Sequence, residues 1–336
     1  MRVLWGIEKR VARPSCLALG VFDGVHLGHA KVIGTAVARA AAGDAVPAVL
    51  TFDPHPDTVV NPQGAPPLLT TTEEKIGLLR GLGVKLAIIA RFDSSLAAMP
   101  AEGFAADVLV RRLRARCIAV GANWRFGAGG RGSPELLKQM APRFGFDVTM
   151  VPSVIVKGEP VSSTRLRGLL LGGQLEEANE LLGRLYDMGG RVVAGDGLGR
   201  KLGFPTANLD LPREKLIPAD GVYACWAGKP RSASPMPPAS LSVAPSLRAE
   251  RGEGVRLKWP AICYIGSRPT IDVSRGRRVE VHLLERRGPV GAPGSVLRVE
   301  LVSRLRPDRR FASTEALVEQ MKADVDGARD VLVRIS

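Results

Sequence analysis

The sequence predicts an α/β chain in two parts, a parallel sheet layered with helices followed by a small antiparallel β-barrel. Three observations lead there. The 336 residues exceed what one hydrophobic core usually serves, and a prior of one domain per ~150 residues gives two domains. Residues 15–152 alternate short apolar, strand-like runs with longer stretches of helical periodicity. Beyond residue 187, short strand-like runs are separated by glycine- and proline-rich connections.

In the first part the strands are SCLALGVF, AVPAVLTF, VKLAIIARF, RCIAVGA and DVTMVPSV, and the helices between them cover 28–42, 73–82, 101–114 and 134–143. These strands are continuously apolar rather than alternating, which suits a parallel sheet covered on both faces, and such sheets bind ligands at the carboxyl ends of their strands. Short helices are expected at 162–171 and 174–183, after which the texture changes at Asp187-Met188-Gly189-Gly190. The second part reads as strands RVVAG, GVYACWAG, PAICYIG, RRVEVHLLE and VLRVELVSRL, closed by one helix over about 313–331. The segment 229–256, rich in Pro, Ser and Arg, has little to bury and reads as a disordered insertion in the second domain. The domains are therefore 1–186 and 187–336.

Composition narrows the class. With 45% hydrophobic and 24% charged residues and 38 glycines the chain is an ordinary soluble protein, neither collagen-like nor largely disordered. No apolar run approaches the ~20 residues that span a bilayer, and the charges of MRVLWGIEKR follow a short apolar stretch, the wrong order for a secretory signal. A cytoplasmic protein without a membrane partner is expected. The four cysteines have no paired spacing and are expected to be separate reduced thiols. The net charge of +14 is spread along the chain, and its densest groups lack interleaved aromatics, so small anionic substrates are expected rather than a nucleic acid. Whether copies assemble into a homo-oligomer is left open.

The segment GVFDGVHLGHAK, residues 20–31, follows a predicted strand and opens a predicted helix. Gly20 and Gly28 let the backbone approach a ligand while free amides face an anion. His26 and His29 flank Gly28, and two imidazoles near a phosphate can donate hydrogen bonds to charge building on its oxygens. One helix-capping and one core histidine would give the same pattern. The string GxFDGxHxGH resembles the signature of the nucleotidyltransferase superfamily, and specifically its bacterial FAD synthetase branch. Three further segments are similar in the same order: TFDPHP (51–56), GANWRFGAGGRG (121–132) and VSSTRLR (161–167).

The resemblance implies a Rossmann-like nucleotidyltransferase domain that joins ATP to FMN, with His26 and His29 catalytic. It gives Gly20, Asp23, Gly28, Ser163, Thr164 and Arg167 to the ATP phosphates, and His55, Asn123, Trp124 and Arg125 to the flavin. Asn123-Trp124 stands where many members have Asp-Phe; it keeps hydrogen-bonding capacity and a flat stacking surface. Read without the resemblance, Ser163 begins a Ser/Thr helix cap.

In the second domain GDGLGRKLGFPTANL, residues 195–209, combines a glycine-rich turn, a basic pair and Pro-Thr-Ala-Asn. Gly199, Arg200 and Lys201 can cradle polyphosphate, and Thr206 and Asn208, two apart on an extended segment, can offer oxygens to Mg²⁺ from one side. A polar hairpin loop is the plainer account. The string is similar to the riboflavin kinase motif, and YIGSRPT (264–270) and VEVHLLE (279–285) match its next landmarks. The resemblance implies that Glu280 takes the proton from the riboflavin 5′-hydroxyl as it attacks ATP. Tyr264 stands where the family commonly has Asn, Glu285 where it has Asp, and RRGPVGAPG replaces its acidic-aromatic stretch.

The whole reading is thus phosphorylation of riboflavin to FMN and adenylylation of FMN to FAD, using ATP and Mg²⁺. Two alternatives stay open: an FAD synthetase whose kinase barrel is degraded, and a basic RNA-binding protein reusing the fold.

Overall fold

The structure, a computed structural model, describes residues 1–195, 197–228, 259–266, 277–285 and 292–335. The 229–256 insertion, the Ser-Arg-Pro-Thr end of the 264–270 landmark and most of the 285–294 stretch lie outside the described residues. Contacts divide the chain into two compact units, the first running Met1–Ser163 and the second beginning at Thr164.

The first unit is a six-stranded parallel sheet in the order β1-β4-β3-β2-β5-β6. Its strands are β1 Arg2–Trp5, β2 Ser15–Leu19, β3 Val46–Asp53, β4 Leu86–Arg91, β5 Ala115–Gly121 and β6 Asp147–Val151. The continuous apolar runs divide between two cores because successive side chains point to opposite faces. Leu17, Leu19, Leu50, Ile88, Ile118 and Val120 face one core, while Ala18, Val49, Ala87, Ile89 and Ala119 face the other. Helices α1 (Leu27–Ala41) and α2 (Thr72–Gly81) cover the second face through Val32, Ile33, Ala36 and Leu79. The stretch α3 (Phe104–Arg112) and α4 (Pro134–Phe144) cover the first. Residues 101–114 are not one α-helix: after Ala101–Gly103 the chain widens into π-helical turns, with Leu113 N donating to Val108 O at 2.9 Å. The edge strand β1, half-buried and only four residues long, carried too short a pattern to be read.

One expectation fails here. Cys16 and Cys117 are not separate thiols but form a disulfide, their Cα atoms 4.6 Å apart as register partners on neighbouring strands. A sequence separation of 101 hides a pairing that exists only once β2 and β5 lie side by side. Cys225 and Cys263 are buried free thiols.

The second unit carries α5 (Ser163–Leu171, from Thr164 onward), α6 (Leu175–Leu182), a closed antiparallel barrel and a final helix α7 (Thr314–Ile335). Between the units' main elements β7 (Ile155–Val156) and β8 (Glu159–Pro160) form a small hairpin in the first unit. The barrel order is β10-β13-β12-β11-β14-β9, built from β9 Tyr186–Val193, β10 Thr206–Asp210, β11 Gly221–Gly228, β12 Trp259–Gly266, β13 Arg278–Leu283 and β14 Val296–Pro307. Strand β9 starts earlier than RVVAG suggests, because Asp187, which reads as a turn residue, is 3% exposed and paired with Arg298 Nε at 2.9 Å. The outer barrel face of Val222, Ala224, Ile262 and Val302 is packed with Ala328 and Leu332 of α7. Among the described residues no helix is long and apolar enough to cross a membrane.

Two candidate active sites

In the first unit β3 follows β2 on one side, while β5, reached after β4, returns to the other side of β2. The carboxyl ends of β2 and β5 therefore flank the point where the winding reverses, which is where open α/β sheets bind ligands. The turn 20–26 leaves β2 there and residues 121–126 leave β5 there.

The turn is unusual in its backbone. Phe22 (φ 52°), Gly24 (φ 85°) and Val25 (φ 40°) all lie in the left-handed region, where a non-glycine residue costs of order 1–3 kcal/mol. A Cβ on Gly24 would also stand 2.8 Å from Leu69. Two anchors hold this shape. The Asp23 carboxylate, buried, accepts from Leu69 N (3.0 Å), Thr70 N (2.9 Å) and Thr70 Oγ1 (3.2 Å), and Thr70 Oγ1 accepts from Gly24 N (3.0 Å). The Asp23 carbonyl accepts from Ser163 Oγ at 2.9 Å, so two residues named from separate motifs meet. Thr164 and Arg167 follow on α5 within the second unit. Gly20 ends the strand, donating to Leu50 O at 3.3 Å.

His26 is 5% exposed and is the N-cap of α1: its Nδ1 accepts from His29 N at 3.3 Å. An accepting Nδ1 carries no proton, so the neutral ring bears its proton on Nε2. The helix-capping part of the pattern is therefore present at this residue. His29 stacks on it with ring centroids 3.6 Å apart, and a Cβ on Gly28 would stand 3.1 Å from the His26 ring. Among the described residues the buried Nδ1 of His29 has no hydrogen-bond partner. Burial, with the charge of Lys75 adding to it, holds His29 well below the usual imidazole range, so the ring is neutral.

After β3, His55 Nδ1 accepts from Asp57 N at 3.2 Å, which places its proton on Nε2. After β5, Asn123 and Arg125 are exposed, while Trp124 is half-buried and stacks on Phe126 at 4.7 Å. These loops share the carboxyl edge of the sheet with the histidine turn, through the neighbouring strands β3, β2 and β5.

In the barrel, Thr206↔His282 and Asn208↔Glu280 are register partners, so Thr206, Asn208, Glu280 and His282 present one outer face. Glu280 is only 23% exposed; its Oε2 accepts from Thr206 Oγ1 at 3.2 Å and its Oε1 lies 3.7 Å from Arg278 Nη1. The amide of Asn208 lies against Gly195, where a Cβ would be 2.0 Å from Nδ2. Gly199 packs over the same segment, its carbonyl accepting from Phe204 N at 2.7 Å, and Arg200 and Lys201 are exposed on the short turn Leu198–Lys201. Tyr264, opposite Glu280 on β12, donates to Asp308 Oδ2 at 3.2 Å; burial, then Asp308, pushes its phenol to about 12.

Sequence reasoning missed several contributors. Lys75 and Thr70 sit inside a Thr/Glu-rich stretch that reads as a helix start, and it is one: Thr71 and Glu74 form a capping box. His282, whose Nδ1 lies 2.9 Å from Pro205 O, and Arg278 belong to a motif in which only Glu280 carried a chemical signal.

A histidine pair at the switch point of a parallel sheet, and a carboxylate beside a hydroxyl and an amide on a barrel face, define a nucleotidyltransferase unit joined to a phosphotransferase barrel. The FAD synthetase family model matches residues 8–165 and the riboflavin kinase family model matches 182–332. The chain belongs to the family of bifunctional riboflavin kinase/FMN adenylyltransferases. It is 34% identical to the one from Escherichia coli K12, covering 98% of this chain and 97% of that one. It is 32% identical to the one from Bacillus subtilis, covering 92% and 90%. A Streptococcus pneumoniae crystal structure described as a macrolide-efflux protein shares the fold at a TM-score of 0.81 and 26% identity, covering 97% of this chain and 98% of that one.

Proposed function

We propose that this chain converts riboflavin and ATP to FMN and ADP at Glu280, in domain 187–336, and FMN and ATP to FAD and pyrophosphate at His26 and His29, in domain 1–186. The observation that carries the reading is the stacked, neutral histidine pair with an enclosed, unpartnered Nδ1 at the β2/β5 switch point. An FMN phosphate oxygen attacks the α-phosphorus of ATP, the bond to the bridging oxygen breaks, and pyrophosphate leaves. No covalent enzyme intermediate is needed. The protein aligns the two phosphates and stabilises charge on the α-phosphate with the Nε2–H of His26, His29 and the amides of the turn. Ser163, with Gly20, Asp23 and Gly28 shaping the turn, holds the remaining phosphates. His55, Asn123, Trp124 and Arg125 receive the flavin.

In the barrel Glu280 takes the 5′-hydroxyl proton of riboflavin as the oxygen attacks the γ-phosphorus. The Thr206 hydroxyl fixes the rotamer of the carboxylate, and Gly199, Arg200 and Lys201 lie under the polyphosphate. The hydroxyl of Thr206 and the amide oxygen of Asn208 are hard oxygens that fit Mg²⁺, which takes few protein ligands and keeps waters and phosphate oxygens. When bound, the ion neutralises charge on the phosphates. Small anionic substrates suit the net charge of +14, and the cytoplasm, where ATP is plentiful, suits both reactions.

Adenylylation alone is a second reading, favoured by Tyr264 and its bond to Asp308 beside Glu280. A chromatographic time course with riboflavin, ATP and Mg²⁺, beside an FMN-fed sample, separates them. FMN followed by FAD is expected. FAD from the FMN-fed sample alone would leave only the synthetase, and no conversion in either would end the proposal.

A further inference from the structure

We infer that Lys75, on α2, is a positioning residue for adenylyl transfer: its ammonium pins the Val21–Phe22 peptide and through it the Phe22 ring that sets His29. The inference rests on the assignment of adenylylation to the His26–His29 pair. Lys75 is 5% exposed, and its Nζ donates to Val21 O at 2.9 Å and reaches Thr51 Oγ1 at 3.4 Å. Thr51 Oγ1 donates to the same carbonyl at 2.8 Å. Two donors thus converge on one oxygen. That oxygen belongs to the peptide plane whose next rotation is φ of Phe22, held at 52° against its steric preference. The Phe22 ring meets the His29 ring edge-on at 5.3 Å, and His29 lies on His26. A contiguous path of bonds and contacts therefore runs from Lys75 to the histidine pair.

An apolar residue would fill the space with less desolvation, so the ammonium has a use that packing does not explain. Asp23 and Asp53 face it and favour its charged form against burial, which lowers it. Its charge also adds to burial in keeping His29 neutral. Lys75 thereby serves geometry and protonation state together.

The test compares wild type with Lys75→Met in the full chain, using ATP and FMN for one activity and riboflavin for the other. The expected result is a fall of about 10²-fold in kcat for FAD formation, the scale of a small misplacement, with KM for ATP little changed and riboflavin phosphorylation within about twofold. NMR titration of the histidine rings, only four in number, should show His29 of Lys75→Met protonating at higher pH than in wild type. Thr51→Val, which keeps the charge, should cost about fivefold in the same kcat, the loss of one hydrogen bond, and leave the His29 titration in place. Unchanged FAD formation in Lys75→Met or in Thr51→Val, a loss without any shift of His29, or a parallel fall of both activities would overturn the inference. A wild type that makes FMN but never FAD would remove the site assignment and the inference together, whereas an active wild type matched by Lys75→Met would remove the inference alone.

Discussion

Glu280 and His26 both hold positions that an uninvolved residue could occupy, and it is their partner atoms that make them candidates. Glu280 sits on an alternating strand where solvent-facing glutamates are common, yet Thr206 and Arg278 flank its carboxylate and leave it 23% exposed. Under the proposed assignment, Glu280→Gln keeps the shape and removes the base; riboflavin phosphorylation should fall by about 10²–10⁴-fold while FMN adenylylation stays within about twofold, read from the two time courses. His26 divides its nitrogens between a helix cap and a donor. His26→Asn keeps a capping oxygen, so thermal stability should hold while FAD formation drops by about 10²–10³-fold. His26→Ala loses both, and calorimetry should record about 1 kcal/mol further loss of stability. Equal stability of the two variants would mean the cap has no energetic weight.

At the scale of elements, the parallel strands were legible because both faces are covered, so apolar residues run without interruption. The same doubling of cores conceals which strands are neighbours. Cys16 and Cys117 show the consequence: nothing along the chain joins them, and the pairing follows from the strand order alone. Protein kept from reductant and then unfolded should titrate two thiols, those of Cys225 and Cys263, and four after reduction. A count of four before reduction would refute the bond. The turn after β2 drew attention through its glycines and histidines, whereas its anchors did not: Thr70 and Lys75 arrive from an element whose sequence advertises only a capping box. Strand β9 was cut short for a related reason, since a buried ion pair looks like a turn until its partner on β14 is known.

For the molecule as a whole, acid should act on the two units at different pH. His29 has a folded pKa below its unfolded value of 6.5, so its contribution to stability is complete above pH 6.5 and is lost as pH falls below it. The slope from one such group is at most about 1.4 kcal/mol per pH unit. Burial pushes the Asp187 carboxyl up, but Arg298, Lys215 and Arg184 together hold it under its ordinary 3.8, and its contribution to the barrel unit is lost only below that. Scanning calorimetry from about pH 7 to about pH 5 should lower the first unit's transition before the second's, and His29→Asn should flatten that dependence. A first transition indifferent to pH would contradict the buried, neutral ring.

The covalent continuity from the sheet unit through Thr164 into the barrel has one last consequence. Each ribosome that completes the chain delivers one copy of each unit, so expressing more of this chain raises both activities together. The partition of FMN between release and conversion then depends on the second site's turnover and its grip on FMN and ATP.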